Sequence, residues 1–323
     1  MDNALVLFES DPDFRKELEG ILSGYKVIFN ESEDTGSIDA ETAGNAAVIF
    51  GNPKADFLAL CPRLKWLQLQ SSGADGYIAG EINKETVLLT SATGCYGHAV
   101  SEHMAALTLT LLKKLHLYRD EQAACRWRSR GHAKSIRGAV VLVIGLGDIG
   151  AEYARLMKAL GSYVIGVRRS VRAKPDFVDE LLPVEQMEEA LPRADVTALI
   201  IPGTKDTVGL IGQPQLAKMK KDAVLINAGR GSAIDTEALC AALEAGTLGG
   251  AGLEVTDPEP LPPDHRLWKM ENVLITPHIS GDRYTLTYQY ISDFILENAR
   301  RFVRGETLES LVDFKTGFCF PRT

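Results

Sequence analysis

Short apolar runs alternate with stretches of helical periodicity along most of this 323-residue chain, a pattern typical of α/β proteins. In the first hundred residues, five apolar runs predict strands. They are ALVLF (4–8), YKVIF (25–29), AAVIF (46–50), WLQLQ (66–70) and VLLT (87–90). A helix is expected from Asp11-Pro12 to about Leu22, because proline is favoured in the first turn of a helix. These residues therefore predict a small α/β domain.

The second half of the chain repeats this alternation with more continuous apolar runs. Six of them predict parallel strands, since a strand buried on both faces is apolar throughout. They are 140–144, 163–167, 196–201, 223–227, 249–255 and 272–276. A helix over 235–246 is expected to stop at Gly246, a residue favoured just past a helix end. A helical stretch from 282 to 304 should return the chain to the first domain.

The longest helical stretch is predicted between these two parts, over residues 97–120. Its apolar side chains recur at helical spacing, so it is a natural domain connector and a candidate subunit contact. The histidines at 98, 103 and 116 are interpreted as structural. The basic segment that follows, from Arg126 to Arg137, is interpreted as a solvated loop.

A glycine-rich turn joins the strand at 140–144 to a helix that reaches Leu160. The turn consists of Gly145, Leu146, Gly147, Asp148, Ile149 and Gly150. This G-x-G-x-x-G pattern lies within a complete strand–helix–strand unit and therefore predicts dinucleotide binding. Its glycines would permit the tight turn, the approach of a pyrophosphate, and close packing of helix on strand. The helix N-terminus would hold the phosphate charge, and a simple glycine-rich turn is the alternative interpretation.

The end of the next strand favours a phosphorylated cofactor. An NAD site usually has an acidic residue about 20 residues past the glycines, on the ribose hydroxyls. Arg168 and Arg169 occupy this place instead. Two guanidiniums can pair with a 2′-phosphate, so NADP(H) is favoured and NAD(H) remains possible. Two solvated arginines in a surface turn are the alternative.

These patterns predict an α/β protein with two doubly wound domains. Residues 101–281 are expected to form a Rossmann dinucleotide-binding domain. Residues 1–100, completed by 282–323, are expected to form a smaller, flavodoxin-like substrate domain. Loops that follow strands are where such sheets bind ligands, which makes the polar loop from Gln70 to Gly76 a candidate. A connecting turn is the alternative for that loop.

Composition narrows the class of protein. A hydrophobic content of 45% and a charged content of 24% are typical of a soluble globular protein. The net charge of −8 argues against general binding to nucleic acid or to a membrane surface. No apolar run approaches the roughly 18 residues of a membrane span. Five scattered cysteines without a C-x-x-C pair suit reduced thiols in a cytoplasm, and no metal site is expected.

Three ionisable residues of the second half lie in loops after predicted strands. Arg230 is in NAGRG, Glu259 in DPEPLP and His278 in TPHIS. A guanidinium can bind a substrate carboxylate and polarise a carbonyl, and an imidazolium can donate a proton as a hydride arrives. A carboxylate can raise the pKa of a histidine and keep it charged. Together they suit reduction of a 2-oxo acid, although each alone is more often a surface or structural residue.

With these residues, the chain resembles the D-isomer-specific 2-hydroxyacid dehydrogenase family over essentially its whole length. The resemblance rests on VLVIGLGDIG, LINAGRG, DPEPLP followed by NVLITPHISG, and WLQLQSSGAD. The spacings are 29 residues from Arg230 to Glu259 and 19 from there to His278. One departure is Glu254, since the family usually has an aspartate there that contacts the nicotinamide carboxamide.

The resemblance implies a role for each matching residue. Arg230 would bind substrate, His278 would be the acid/base and Glu259 its partner. The amides of the loop Ser72-Gly73-Ala74 would bind the substrate carboxylate. The expected cofactor-binding residues are Gly145, Gly147, Asp148, Ile149, Gly150, Arg168, Arg169, Pro202, Thr207, Ala228, Glu254 and Gly281. A homodimer built through the Rossmann domain is also implied.

The leading hypothesis is a cytoplasmic reductase that uses NADP(H) on small 2-oxo acids such as glyoxylate or hydroxypyruvate. One alternative is an NAD-dependent dehydrogenase of another D-2-hydroxy acid. Another is a dinucleotide-sensing regulator on the same scaffold, which would resemble the corepressors of this family.

Overall fold

The computed structural model describes residues 1–80, 82–169, 173–281, 285–315 and 319. Contacts between residues divide the chain into two units. Unit 1 comprises Met1–Tyr96 and Arg283–Thr323, and unit 2 comprises Gly97–Asp282. The first junction therefore follows Tyr96, whereas the sequence pattern placed it after residue 100.

Unit 1 is built on a five-stranded parallel sheet. Its strands are β1 (Asn3–Val6), β2 (Lys26–Phe29), β3 (Ala46–Phe50), β4 (Trp66–Gln68) and β5 (Leu88–Thr90). Its first helices are α1 (Pro12–Ile21), α2 (Ala40–Gly44), α3 (Ala55–Leu58) and α4 (Asp75–Ala79). The strand order β2-β1-β3-β4-β5 is that of flavodoxin, which confirms the predicted fold of this part.

The N-terminus of α1 follows from the sequence. The Asp11 carboxylate accepts hydrogen bonds from the amides of Asp13 and Phe14, both at 2.9 Å, and Pro12 occupies the first helical position. Phe14 and Leu18 then lie buried on one face of the helix. The polar cap and the apolar face together fix where α1 starts and which side packs on the sheet.

Unit 2 begins with α5 (Gly97–Lys113) and α6 (Leu115–Ala123) and contains a seven-stranded parallel sheet. Its strands are β6 (Val140–Ile144), β7 (Tyr163–Arg168), β8 (Glu180–Pro183), β9 (Val196–Leu199), β10 (Val224–Asn227), β11 (Gly250–Leu253) and β12 (Val273–Ile275). The other helices are α7 (Asp148–Ala159), α8 (Met187–Ala190), α9 (Gln213–Leu216) and α10 (Thr236–Glu244). The order β12-β11-β10-β9-β6-β7-β8 reverses direction between β6 and β9, as in a Rossmann fold.

The six strands predicted in this sheet are confirmed, and β8 was missed. It has four residues, ends in Pro183 and is only half-buried along its length, as suits an edge strand. The buried centre of the sheet, in contrast, is recognisable from the apolar runs alone. Val141, Leu142 and Val143 of β6 have no exposed surface.

The single helix predicted over 97–120 is wrong, because the chain breaks at Lys114. Lys114 has a left-handed backbone with φ of 59°, and α5 and α6 end and begin on either side of it. The Leu112 carbonyl accepts a hydrogen bond from the amide of Lys134 at 3.0 Å, and the Lys114 ammonium donates to the Arg130 carbonyl at 2.8 Å. The returning segment thus takes up the Leu112 carbonyl, which would otherwise accept within a continuing helix, and also binds the side chain of Lys114.

The basic segment after α6 is a largely exposed loop, as predicted, and three of its arginines bind one buried carboxylate. Glu121 has 2% of its surface exposed. The guanidiniums of Arg126, Arg128 and Arg130 reach its carboxylate at 2.7, 2.8 and 3.0 Å. These cations therefore anchor the segment to α6.

The longest helix of the described chain is α11 (Thr285–Arg304), with 20 residues against 17 in α5. It belongs to unit 1. Its Asn298 is fully buried and donates to the Gln68 side chain of β4 at 2.9 Å. Ile295 shares a buried cluster with Trp66, whose ring lies edge-on to Phe50 at a centroid distance of 5.1 Å. The core of unit 1 thus unites its first strands with this helix.

Candidate active site

The candidate residues of unit 2 follow the carboxyl ends of strands in one parallel sheet. The glycine turn follows β6, Arg168 ends β7, and Arg230 follows β10. Glu259 lies in the segment after β11, and His278 follows β12. Since the strands are parallel, these ends share one edge of the sheet, where doubly wound folds bind ligands.

The glycine turn has the geometry expected of a phosphate-binding turn. Gly145 has φ of 99°, and a Cβ there would lie 2.1 Å from the Ile200 carbonyl oxygen. A Cβ on Gly150 would lie 1.9 Å from the Gly145 carbonyl oxygen, so helix α7 and its strand approach too closely for any side chain. No atom of the described chain lies within 4 Å of a Cβ placed on Gly147. The protein thus leaves space at the glycine that would face a pyrophosphate.

Helix α7 starts directly after this glycine, at Asp148, so its first amides point at the same space. The Asp148 carboxylate itself turns towards α5, where a Cβ on Gly97 would lie 2.7 Å from it. Ile149 follows within the first turn of the helix. The backbone of Asp148 and Ile149, rather than the aspartate side chain, is therefore what the turn offers a phosphate.

Arg168 lies beside the glycine turn. Its guanidinium donates to the Leu146 carbonyl at 3.1 Å, and the residue is half-buried. Arg169 follows as an exposed residue. The end of β7 therefore brings positive charge to the turn, and these groups fit a 2′-phosphorylated dinucleotide.

Other expected cofactor residues lie in loops on the same edge. The Thr207 hydroxyl donates to the Pro202 carbonyl at 2.7 Å, which closes the loop after β9. The amide of Ala228 donates to the Leu199 carbonyl at 3.1 Å. Gly281 is the last described residue of the segment after β12.

Arg230 is held by close packing of its neighbours. A Cβ on Gly229 would lie 2.7 Å from the Ile201 carbonyl oxygen, and one on Gly231 would lie 1.9 Å from that of Thr256. The fully buried Asn227 donates to the Arg230 carbonyl at 2.9 Å. The backbone that carries the guanidinium therefore has little freedom. Sequence reasoning missed Asn227, although a polar residue ending the apolar strand β10 was a usable signal.

The structure brings Glu259 and His278 together. The His278 Nδ1 and the Glu259 Oε1 are 2.6 Å apart, with the two side chains 50% and 41% exposed. This contact engages Nδ1 of the ring, and Nε2 is the second nitrogen that can carry a proton. An imidazole with one nitrogen on a carboxylate can act as a general acid through the other.

Glu254, the departure from the usual aspartate of the family, is buried among hydrogen-bond donors of the protein. It has 1% of its surface exposed. Its carboxylate accepts hydrogen bonds from the Thr276 hydroxyl and the Ser280 amide, and the His103 Nε2 lies 3.2 Å from it. Burial raises the pKa of this carboxyl, but the hydrogen bonds from His103, Thr276 and Ser280 outweigh burial and lower it to about 2. Sequence reasoning had treated His103 as structural and had not singled out Thr276 or Ser280.

In unit 1, side-chain hydrogen bonds hold the predicted loop after β4. The Asn52 side chain accepts from the amide of Gln70 at 3.2 Å, and the Ser71 hydroxyl donates to the Gly73 carbonyl at 2.7 Å. Within the described part of the chain, no acceptor is bonded to the amides of Ser72, Gly73 or Ala74. The loop thus presents three successive donors.

One cluster has the composition of a metal site, which the sequence did not suggest. The ligand atoms of Glu237, Cys240 and His265 lie within 4.8 Å of one another. Arg266 donates to the Glu237 carboxylate at 2.6 Å, so this member of the cluster already binds a cation of the protein.

Among the described helices, none has the length and apolar character needed to cross a membrane.

The sequence of this chain is similar to those of known proteins. Residues 105–280, more than half of the chain, match the family model for the NAD binding domain of D-isomer specific 2-hydroxyacid dehydrogenases. A glyoxylate reductase of Korarchaeum cryptofilum is 30% identical over 265 residues, which cover 80% of this chain and 79% of that relative.

Two solved structures resemble both units. A D-isomer specific 2-hydroxyacid dehydrogenase family protein from Aeromonas salmonicida is 29% identical, with a TM-score of 0.85 over 97% of this chain and 99% of that one. A D-isomer specific 2-hydroxyacid dehydrogenase from Xanthobacter autotrophicus, in complex with NADPH and MES, is 27% identical. Its TM-score is 0.82 over 98% of this chain and 100% of that one. The glycine turn, the Arg230 loop and the paired Glu259 and His278 thus lie in a chain that belongs to the D-isomer specific 2-hydroxyacid dehydrogenase family.

Proposed function

We propose that this protein is an NADPH-preferring reductase of small 2-oxo acids such as glyoxylate or hydroxypyruvate. The observation that carries the proposal is the 2.6 Å contact between His278 and Glu259, on the sheet edge that also bears Arg230 and the glycine turn. A paired imidazole and carboxylate supply a proton donor, which reduction of a carbonyl requires and dinucleotide binding alone does not. Membership of the family and the glyoxylate reductase among the relatives support the same reaction.

The chemistry divides between cofactor and protein. When bound, the nicotinamide supplies the hydride that is added to the carbonyl carbon. Arg230 binds the substrate carboxylate and draws electron density towards the carbonyl oxygen. His278 donates the proton at Nε2 to that oxygen, while Glu259 on Nδ1 stabilises the imidazolium before transfer. One hydride and one proton thus convert the 2-oxo acid to the hydroxy acid.

The proposed cofactor preference rests on Arg168. Its guanidinium lies beside the glycine turn at the end of β7, where an NAD site usually has an acidic side chain. Arg169 adds a second, exposed charge. The Xanthobacter relative, solved with NADPH, supports the same preference.

We further propose that the amides of Ser72, Gly73 and Ala74 bind the substrate carboxylate, since consecutive N–H groups form an anion-binding surface. No internal acceptor uses them in the described part of the chain. The side chain of Asn52 fixes the start of their loop. The roles of these amides and of Arg230 as substrate ligands belong to this proposal.

We also propose a homodimer in the cytoplasm. Unit 2 exposes three apolar side chains in or just after α6, namely Trp127 at 106%, Leu115 at 53% and Tyr118 at 38% of their reference surface. A second copy of this chain would cover them. The five cysteines, all within the described residues, form no disulfide bond, which suits a reducing compartment.

The deciding experiment is steady-state oxidation of NADPH and of NADH with a panel of 2-oxo acids. We expect turnover of glyoxylate or hydroxypyruvate and a lower KM for NADPH than for NADH. The variant Arg168→Asp should shift the preference towards NADH. NADPH binding without turnover of any 2-oxo acid would instead indicate a dinucleotide-sensing regulator. A lower KM for NADH in the wild type would refute the cofactor preference.

A further inference from the structure

Glu254 contacts the chain on both sides of His278. Its carboxylate accepts from the Thr276 hydroxyl on one side and from the Ser280 amide on the other. Its backbone carbonyl accepts from the amide of His278 itself at 3.0 Å. One buried residue after β11 therefore holds the segment after β12 at three points.

The backbone of His278 needs such support. Its φ is 51°, in the left-handed region that residues other than glycine rarely adopt. A residue in this conformation persists when the surrounding contacts impose it. The bonds from Glu254 flank the strained position, so they are placed to keep it.

His103 connects this arrangement to α5. Its Nε2 lies 3.0 Å from the Thr276 hydroxyl and 3.2 Å from the Glu254 carboxylate. Because the Thr276 hydroxyl donates to Glu254, the Thr276 oxygen can share the Nε2 proton of His103 with the Glu254 carboxylate. The carboxylate is ionised at neutral pH, given a pKa of about 2, and serves only as an acceptor. Every donor in the group thus has an acceptor.

We propose that Glu254, anchored by His103, is a positioning residue that holds His278 in the geometry needed for proton transfer; this inference rests on the proposed reduction of 2-oxo acids. Protein donors engage both carboxylate oxygens, Thr276 on one and Ser280 on the other, so the carboxylate links the two sides of His278. The length of glutamate matters in this role. An aspartate, one methylene shorter, would not reach both Thr276 and Ser280 from the same backbone.

The test combines hydrogen exchange with kinetics on the full-length protein. In Glu254→Asp, the Ser280 amide should exchange at least about tenfold faster than in the wild type, measured without substrate. The kcat for glyoxylate should fall about tenfold or more, because misplacement of the acid affects the reacting geometry. The Kd for NADPH should stay within about twofold, since the nicotinamide loses no contact. Unchanged protection of the β6 amides shows that the fold is intact.

Matched variants separate this role from general stability. Glu244 is a half-exposed carboxylate on α10 that binds Arg266, and Glu244→Asp should leave exchange and kcat unchanged. His103→Gln keeps a donor and should retain most of the kcat, whereas His103→Leu should behave like Glu254→Asp.

Other outcomes would overturn either the inference or the proposed reaction, and the two failures are distinguishable. Unchanged Ser280 exchange together with unchanged kcat in Glu254→Asp would show that neither the His278 segment nor catalysis depends on the length of the Glu254 side chain. A raised Kd for NADPH with unchanged exchange would make Glu254 a nicotinamide ligand instead. If Ser280 exchanges faster in Glu254→Asp but the wild type reduces no 2-oxo acid, Glu254 does hold the His278 segment and the proposed reaction is refuted.

Discussion

Arg230 is fixed by backbone packing on both sides, and its guanidinium also donates to the Gly229 carbonyl at 2.8 Å. The planar fork is therefore presented in one orientation, which a lysine ammonium would not reproduce. In Arg230→Lys, we expect kcat/KM for any active 2-oxo acid to fall by about 100-fold, or about 3 kcal/mol of transition-state stabilisation. Steady-state kinetics measure this. Arg266→Lys, at an exposed ion pair on Glu237 and Glu244, is the control and should have no effect.

In the proposed mechanism, Glu259 faces the His278 ring, with its Oε1 2.6 Å from Nδ1. Glu259→Gln keeps an acceptor at this place but removes the charge. In steady-state reduction at one fixed pH, kcat/KM for Glu259→Gln should therefore fall below that of the wild type, and His278→Ala should nearly abolish turnover. Equal kcat/KM for the wild type and Glu259→Gln would remove Glu259 from the mechanism.

At the scale of elements, the turn between β6 and α7 contains one glycine that we expect to matter for folding and another that we expect to matter for cofactor binding. A Cβ on Gly150 would overlap the Gly145 carbonyl at 1.9 Å, whereas one on Gly147 meets nothing within 4 Å. We expect Gly150→Ala to destabilise the protein by about 2 kcal/mol or more, because backbone must move. Gly147→Ala should keep the wild-type melting temperature but weaken NADPH binding at least about tenfold, because its methyl takes the space for the pyrophosphate. Thermal unfolding and NADPH titration of both variants test this; equal NADPH affinity in Gly147→Ala would contradict it.

Strands and turns were predictable from the sequence where neighbouring residues alone determine them. The apolar runs of β6 and β10 and the glycines after β6 carry their own signal, because burial and tight turns each demand particular residues. The break at Lys114 carries none, since it depends on Lys134 returning from a distance. The burial of Glu254 was likewise unpredictable, because its partners come from α5 and from the segment after β12.

Ionisation of Glu254 should make the stability of the protein depend on pH. Its pKa is lowered from the ordinary 4.5 to about 2, so folding favours the ionised form. A depressed pKa contributes stability that is complete above about pH 4.5 and is lost as the pH falls towards 2, about 3 kcal/mol in all. Urea unfolding of the wild type should therefore show a steep loss of stability below pH 4.5 that Glu254→Gln lacks in part. Glu244→Gln is the control and should follow the wild type; parallel curves for wild type and Glu254→Gln would exclude this coupling.

For the whole molecule, each unit repeats the same design, a parallel sheet whose strand ends carry the candidate residues. Unit 2 places the glycine turn and the His278 pair at one edge. Unit 1 places the Ser72 loop after β4. Doubly wound sheets favour this arrangement because ligands bind beyond the carboxyl ends of parallel strands. The candidate residues for binding and proton transfer thus lie in loops, while the buried strands fix where those loops start.

The assembly of the molecule is tested at Trp127. This side chain is fully exposed in the single chain, and burial of an indole contributes about 4 to 6 kcal/mol. In a two-fold dimer the same contact is used twice, so its loss should be large. We expect light scattering to give twice the chain mass of 35.2 kDa for the wild type and a shift towards monomer for Trp127→Asp at low micromolar concentration. Leu160→Asp, at a residue 41% exposed elsewhere in unit 2, should stay dimeric. A monomeric wild type would refute the dimer, and a fully dimeric Trp127→Asp would place the interface on another surface.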